Sequence, residues 1–165
     1  VTAWSISYPE YVEGRLKSQE TEQMEEVKKQ FLELQSRSSW AEPGDSGKIR
    51  FPMSAGSVFL WPGNSPEGTL TVREGGIERV TDNVTIDPGK VELMGKNIYY
   101  PTQTYIFQAG HVFMRQETAE LEVSPASRFI SWTDGLELNY VTIDGGDFSV
   151  SSKGEETISV YWAGR

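Results

Sequence analysis

His111 is the first residue to consider for chemistry, because it is the only histidine in the chain. A serine-histidine-aspartate triad needs a positioned imidazole, so this side chain is the sole candidate base of that kind. No serine lies in the G-x-S-x-G pattern that marks a nucleophile elbow. His111 falls in a predicted hairpin turn or at the start of a strand, and we interpret it as a turn residue. The sequence therefore predicts no catalytic residue.

Acidic residues in predicted turns raise the question of a metal site. Asp144-Gly145-Gly146-Asp147 offers carboxylate oxygens of the kind that Ca²⁺ prefers, and Asp82 and Asp87 raise the same question. The glutamate that ends an EF-hand loop is absent, and Asp and Gly are also the residues that tight turns require. We therefore interpret these segments as turns and predict no metal and no cofactor.

Paired carboxylates are the chemistry of glycoside hydrolysis. The chain has 24 Asp and Glu residues, so some pair will lie at a suitable distance by chance, and the sequence nominates none. A glycoside hydrolase stays the least favoured alternative.

One modification motif is present. Asn83-Val84-Thr85 is an N-x-T acceptor for N-glycosylation. In a secreted protein such a motif marks an exposed loop or strand edge, so Asn83 is a possible glycosylation site.

Clustered aromatic residues could form a platform that stacks sugars. Alternating aromatics in strands more often fill a core, and we favour that interpretation. A carbohydrate-binding or adhesin module remains the alternative function. The two candidate clusters are Tyr99, Tyr100, Tyr105 and Phe107, and Trp61, Trp132 and Trp162.

Composition limits the function classes further. The chain has 165 residues and a formal net charge of −9, and an acidic surface without a basic stripe argues against nucleic-acid binding. It has no cysteine, which excludes disulfides, thiolate nucleophiles and cysteine-based metal sites. No Gly-rich segment lies between a strand and a helix, as a phosphate-binding loop requires.

The elements that would position these residues follow a simple order. Residues 7–37 predict a helix: Ser7 and Glu10 fit a capping box with Pro9 in the first turn. The apolar spacing of Met24, Val27, Phe31 and Leu34 marks one helical face. The residues before Met24 are polar, so we expect the first half of the helix to project from the domain or to pack on another chain.

Residues 48–162 predict only strands and turns, with turn signals every 8–12 residues. We therefore expect one domain over residues 1–165, mainly β, with an antiparallel sandwich or jelly-roll-like sheet and one long N-terminal helix. Turn residues predict hairpins at Glu74–Gly76, Asp87–Gly89 and Gln108–His111. The apolar run Val58–Trp61 predicts a buried strand.

Several phrases of the chain resemble archaeal pilin-like surface proteins. The most specific is Gly95-Lys-Asn-Ile-Tyr-Tyr-Pro-Thr-Gln-Thr-Tyr-Ile-Phe-Gln-Ala-Gly-His-Val-Phe-Met114, in which a "YYP-x-Q-x-Y" phrase precedes a hairpin. The similarity extends thinly over residues 20–34, 48–72, 136–143 and 148–154.

This resemblance implies the extracytoplasmic domain of a protein that a type IV pilin-like helix anchors in the membrane. It implies a structural or adhesive role at the cell surface, with protein partners in the envelope or a filament, glycans as a further possibility, and no enzyme activity or cofactor. No stretch of this chain approaches the roughly 20 apolar residues that span a bilayer. We therefore expect the anchor to precede Val1.

Overall fold

The computed structural model describes residues 3–55, 67–80, 83–126, 130–132, 136–138 and 141–162. For residues 3–9, 77–84 within this set, 130–132 and 136–138 only the backbone is described. The predicted strand Val58–Trp61 lies outside the described residues.

The described chain forms one helix followed by strands. The helix α1 is Ala3–Trp40, and the strands are β1 Ser46–Pro52, β2 Glu67–Arg73, β3 Gly76–Val80, β4 Asn83–Asp87, β5 Lys90–Lys96, β6 Gln103–Gln108, β7 His111–Gln116, β8 Ala119–Ser124, β9 Ile130–Trp132, β10 Leu136–Leu138, β11 Phe148–Ser152 and β12 Glu155–Tyr161.

All the strand pairs described are antiparallel. The main sheet has six strands in the order β11-β2-β5-β6-β7-β8, and three two-stranded ribbons accompany it: β1-β12, β3-β4 and β9-β10. The ribbon β1-β12 joins strands from the two ends of the β region, with Ser46 opposite Tyr161 and Pro52 opposite Glu155. The prediction of a mainly β fold with one long N-terminal helix is confirmed.

Two of the three predicted hairpins are wrong. At Glu74–Gly76 and Asp87–Gly89 the chain does not turn back on itself: β2 pairs with β5 and β11, and β3 pairs with β4. The ladders β2-β5 and β3-β4 share one register, since Arg73 lies opposite Lys90 and Gly76 lies opposite Asp87. The β3-β4 ribbon therefore prolongs the pairing of β2 with β5. Glycine in these segments interrupts the strands without reversing them.

The third predicted hairpin, at Gln108–His111, is confirmed. Gln108 pairs with His111 across the two-residue loop Ala109-Gly110. Both loop residues have positive φ, 53° and 85°, as the type I′ turn of a tight hairpin requires.

The helix is longer at its start than predicted. It begins at Ala3, so Ser7 lies within the helix and the predicted N-cap at Ser7 is wrong. A capping box marks the first turn of a helix only where the residues before it are not helical. Residues 3–6 are helical here, so the motif lies inside the helix. Gly14 also lies within it without ending it.

The core lies between the helix, the ribbon β1-β12 and one face of the six-stranded sheet. Phe31 packs at its centre, with its ring 5.1 Å from that of Phe51 and 6.0 Å from that of Tyr105. Full burial of one such side chain stabilises the fold by about 1.5–3 kcal/mol. The buried core comprises Met24, Val27, Phe31, Leu34, Ile49, Phe51, Met53, Leu70, Val72, Val91, Leu93, Tyr105, Phe107 and Val112.

Polar contacts extend the packed part of the helix beyond its apolar stripe. Glu20 is only 2% exposed, and its carboxylate accepts hydrogen bonds of 2.7–2.8 Å from the backbone N–H groups of Ile98, Tyr99 and Tyr100. Gln23 is also buried and donates to the carbonyl oxygen of Pro52. The expectation that the residues before Met24 project is therefore wrong for Glu20 and Gln23. The Glu20 carboxylate can be buried because charge-assisted hydrogen bonds from the backbone replace those it would make with water.

A second polar contact fixes the other end of the packed helix. The amide nitrogen of Gln35 lies 2.8–3.2 Å from the carbonyl oxygens of Gly110, Ser124 and Pro125 and donates to them. It thereby joins the helix to the β6-β7 turn and to the end of β8. Glu20 and Gln35 together set the position of the helix along the sheet.

No helix in the described part of the chain is long and apolar enough to cross a membrane.

Candidate functional site

His111 begins β7 and is held by its surroundings. Its Nδ1 lies 2.6 Å from Oε1 of Glu122 on the neighbouring strand β8, and its ring stacks on Phe113 at 5.8 Å. The backbone N–H of Ala126 also approaches Nδ1, at 3.4 Å. These contacts make His111 a partly buried cross-strand residue at the start of β7, rather than the turn residue that the sequence interpretation favoured.

Two of the acidic side chains in the predicted turns accept hydrogen bonds from backbone N–H groups. Oδ1 of Asp147 accepts a 2.7 Å hydrogen bond from the N–H of Glu74, and Oδ1 of Asp87 accepts one of 2.9 Å from the N–H of Gly89. Asp82 lies outside the described residues. Within the described ranges no group of three or more His, Cys, Asp and Glu side chains is placed to hold a metal ion.

Asn83 is the first residue of β4, and its backbone pairs with that of Val80 at the tip of the β3-β4 hairpin. Thr85, the third residue of the N-x-T motif, is exposed. The side chain of Asn83 lies outside the description, so the use of this motif stays a prediction.

The first aromatic cluster considered as an alternative sugar platform is divided between core and surface. Tyr105 and Phe107 are buried in the core, whereas Tyr99 is exposed. Burial, aided by the charge of Glu25 and by Tyr100, raises the pKa of Tyr105 to about 12. Trp61 and the side chain of Trp132 lie outside the described residues, and Trp162 is half-buried at the far end of β12.

The described residues also line a cleft of about 270 Å³ that the sequence patterns did not indicate. It opens where the ribbon β1-β12 meets the β11 side of the main sheet, and we call it the ribbon cleft. Its lining residues are Leu34, Ser38, Val72, Val91, Phe107, residues 141–146, Phe148 and residues 158–162.

Four elements form the floor of the ribbon cleft. Leu34 comes from the helix, Val72 and Val91 from β2 and β5, and Ile158 and Val160 from β12. These side chains are buried or half-buried and belong to the core or pack against it. The floor is therefore a rigid apolar surface.

The segment 141–146 forms one wall and is fastened by backbone hydrogen bonds. The N–H of Gly75 donates to the carbonyl of Ile143 at 2.7 Å, and the N–H of Ile143 donates to the carbonyl of Pro88 at 3.0 Å. The wall continues into Gly145 and Gly146, whose φ angles of 136° and 84° suit glycine.

Aromatic side chains and one carboxylate lie at the mouth. Tyr161 is 78% exposed and Phe148 is 45% exposed, although both line the cleft. Asp144 is exposed, and its carboxylate has no hydrogen-bond or ion-pair partner among the described residues. The alternation of side chains along β12 predicted that Tyr161 lies on the opposite side from Ile158 and Val160. No local pattern predicted that Tyr161, Phe148 and Asp144 line one cleft, because they belong to different strands and turns.

No family model, characterised protein or solved structure matches this chain. An apolar cleft with a polar and aromatic mouth, such as the ribbon cleft, can hold the apolar part of a ligand and orient its polar part.

Proposed function

We propose that this chain is the extracytoplasmic domain of a membrane-anchored archaeal pilin-like or cell-envelope protein. The role is structural or adhesive rather than catalytic, and its partners are proteins of the envelope or of a filament. The observation that carries the proposal is the length of the N-terminal helix relative to the sheet on which it packs.

The helix is far longer than the domain needs. Its 38 residues extend over about 57 Å at 1.5 Å per residue. A seven-residue strand such as β2 covers only about 23 Å. The helix residues that are buried against the β region run from Glu20 to Gln35, and residues 10–19, which precede them, are exposed or half-buried.

Residues 10–19 of the helix are mostly exposed, as expected for a helix that projects from a domain. Tyr11 is 64% exposed, and Val12 and Leu16 are half-buried among exposed polar residues. Most of the stability of helices in proteins comes from tertiary packing of one face rather than from intrinsic propensity. A continuation into a membrane or an assembly would stabilise this segment, and this is the arrangement that the proposal assigns.

Immunogold labelling of cells that express the full reading frame tests the proposal. We expect label on the intact cell surface, and an apolar segment of about 20 residues directly before Val1. A control that lacks this segment should lose the surface label. Label confined to the cytoplasm, or a reading frame without the apolar segment, would overturn the proposal.

A further inference from the structure

We propose that the ribbon cleft binds a small organic cation that carries an apolar ring, of the quaternary ammonium class. The proposal is independent of the stalk and of the cellular location, because it depends only on the side chains at the cleft.

The size of the cleft suits one ring. An apolar cavity of about 150 Å³ is large enough to hold benzene, and the ribbon cleft encloses about 270 Å³. The floor of Val72, Val91 and Val160 belongs to the rigid core region, so the site is largely formed before a ligand enters. Burial of a ring there would gain about 25 cal/mol per Å² of apolar surface.

The mouth suits a positive charge. Phe148, Tyr161 and Trp162 all line the cleft, and the face of an aromatic ring attracts a cation through the negative potential of its π electrons. Asp144 adds a carboxylate without a partner among the described residues. The lining residues include no Lys or Arg that would oppose a cation.

The charge of the whole chain acts in the same direction. A formal net charge of −9 raises the local concentration of cations and repels anions. A carboxylate ligand of the same shape should therefore bind more weakly than the cation.

A neutral sugar fits the cleft less well than the cation. Its hydroxyl groups would lose their water on a floor of aliphatic side chains, where unsatisfied polar groups are costly. The polar groups of the lining side chains other than Asp144 are the hydroxyls of Ser38, Thr142, Ser159 and Tyr161 and the indole N–H of Trp162. The Ser38 hydroxyl already donates to the carbonyl of Gln35, and none of these groups lies on the aliphatic floor.

Calorimetric titration of the chain with benzyltrimethylammonium tests the proposal. Benzyl alcohol, benzoate and methyl glucoside serve as neutral, anionic and sugar comparisons. We expect saturable binding of the cation, with weaker binding of the alcohol and the anion. Shifts of the Gly145 and Gly146 amide resonances should accompany binding and place it at the cleft.

Two variants locate the interaction. Asp144→Asn and Tyr161→Ala should each weaken cation binding about threefold to tenfold, a factor of ten being about 1.4 kcal/mol. Glu117→Gln is the matched control, since Glu117 is an exposed carboxylate in the β7-β8 turn, and it should leave the affinity unchanged. Both cleft residues are exposed, so the variants should fold, and circular dichroism checks this.

Four results would overturn the proposal: no saturable cation binding, cation binding no stronger than that of benzyl alcohol, saturable binding of the glucoside in preference to the cation, or cation binding that either cleft variant leaves unchanged.

Discussion

At the scale of single residues, the carboxylate of Glu20 joins the helix to the β5-β6 connection. It accepts three consecutive backbone N–H groups, at Ile98, Tyr99 and Tyr100. These three residues belong to the phrase on which the family resemblance depends most. In this chain the segment has a structural role, because its backbone N–H groups donate to Glu20, the only buried carboxylate of the described helix.

Replacement of Glu20 by Gln should destabilise the domain by about 2–3 kcal/mol, because hydrogen bonds to a charged group contribute about 1.5–3 kcal/mol and the amide NH₂ would oppose the backbone donors. Urea unfolding measures the change. Glu22→Gln is the control, since Glu22 is exposed on the same helix, and an equal effect of the two substitutions would contradict the assigned role.

The buried phenol of Tyr105 should make stability sensitive to alkaline pH. Its folded-state pKa is raised to about 12 from 10, so the folded protein holds the phenolic proton more tightly than the unfolded chain. This contribution is complete below pH 10 and is lost as the pH rises from about 10 to 12, by roughly 2–3 kcal/mol at about 1.4 kcal/mol per pKa unit.

The difference in unfolding free energy between the parent chain and Tyr105→Phe, measured at about pH 9 and again near pH 11.5, isolates this contribution. The phenylalanine variant should lose less stability over the interval. Parallel losses in the two proteins would show that the Tyr105 hydroxyl has no part in the alkaline transition.

At the scale of elements, the helix has two halves with different tasks. The half from Glu20 onward is packed on the β region, and residues 10–19 are exposed or half-buried. Deletion of residues 1–17 should therefore change the free energy of unfolding by less than about 1 kcal/mol, and Ser18 at the new end is a favourable N-cap residue type.

A substitution in the packed half gives a reference value for the effect of the deletion on the free energy of unfolding. Phe31→Ala should cost about 3–5 kcal/mol, because Phe31 is fully buried and its truncation leaves a cavity. Thermal or urea unfolding of the deletion variant measures the first effect. A loss comparable to that of Phe31→Ala would mean that the first half of the helix is part of the domain.

The helix also shows how far sequence patterns reach. The spacing of Met24, Val27, Phe31 and Leu34 predicted the buried face, because apolar side chains gain by burial in almost any context. The same pattern missed Glu20 and Gln35. A buried polar side chain is favourable only where partners from distant segments meet it, and no local signal reports those partners.

At the scale of the whole molecule, the strand that follows the helix pairs with the last strand described. Pro52 pairs with Glu155 and Ser46 with Tyr161, across about 100 residues, and such distant pairing slows folding because a long loop must close first. The order of elements predicted the mainly β class. It did not predict this pairing, the β3-β4 ribbon or the ribbon cleft, since each depends on which strands meet in three dimensions.

A chain that ends at Ser152 should not fold cooperatively. It lacks β12, whose Ile158 and Val160 pack against the core, and leaves the whole of β1 unpaired. Loss of the sigmoidal urea transition, with the full chain as the control, is the expected result. A cooperative transition in the shortened chain would show that the six-stranded sheet and the helix suffice.

The closure of the ribbon β1-β12 has a mechanical consequence. Backbone hydrogen bonds join Trp162 to Gly44 and Asp45, directly beside the end of the helix, so the start of β1 and the end of β12 lie at the same end of the ribbon. Tension applied between Trp40 and Trp162 would open the ribbon like a zipper, one pair at a time and at low force. Tension applied along the helix against the sheet would instead act at once on the side chains from Glu20 to Gln35. The domain should resist pulling along its helix far better than pulling at its closing strand.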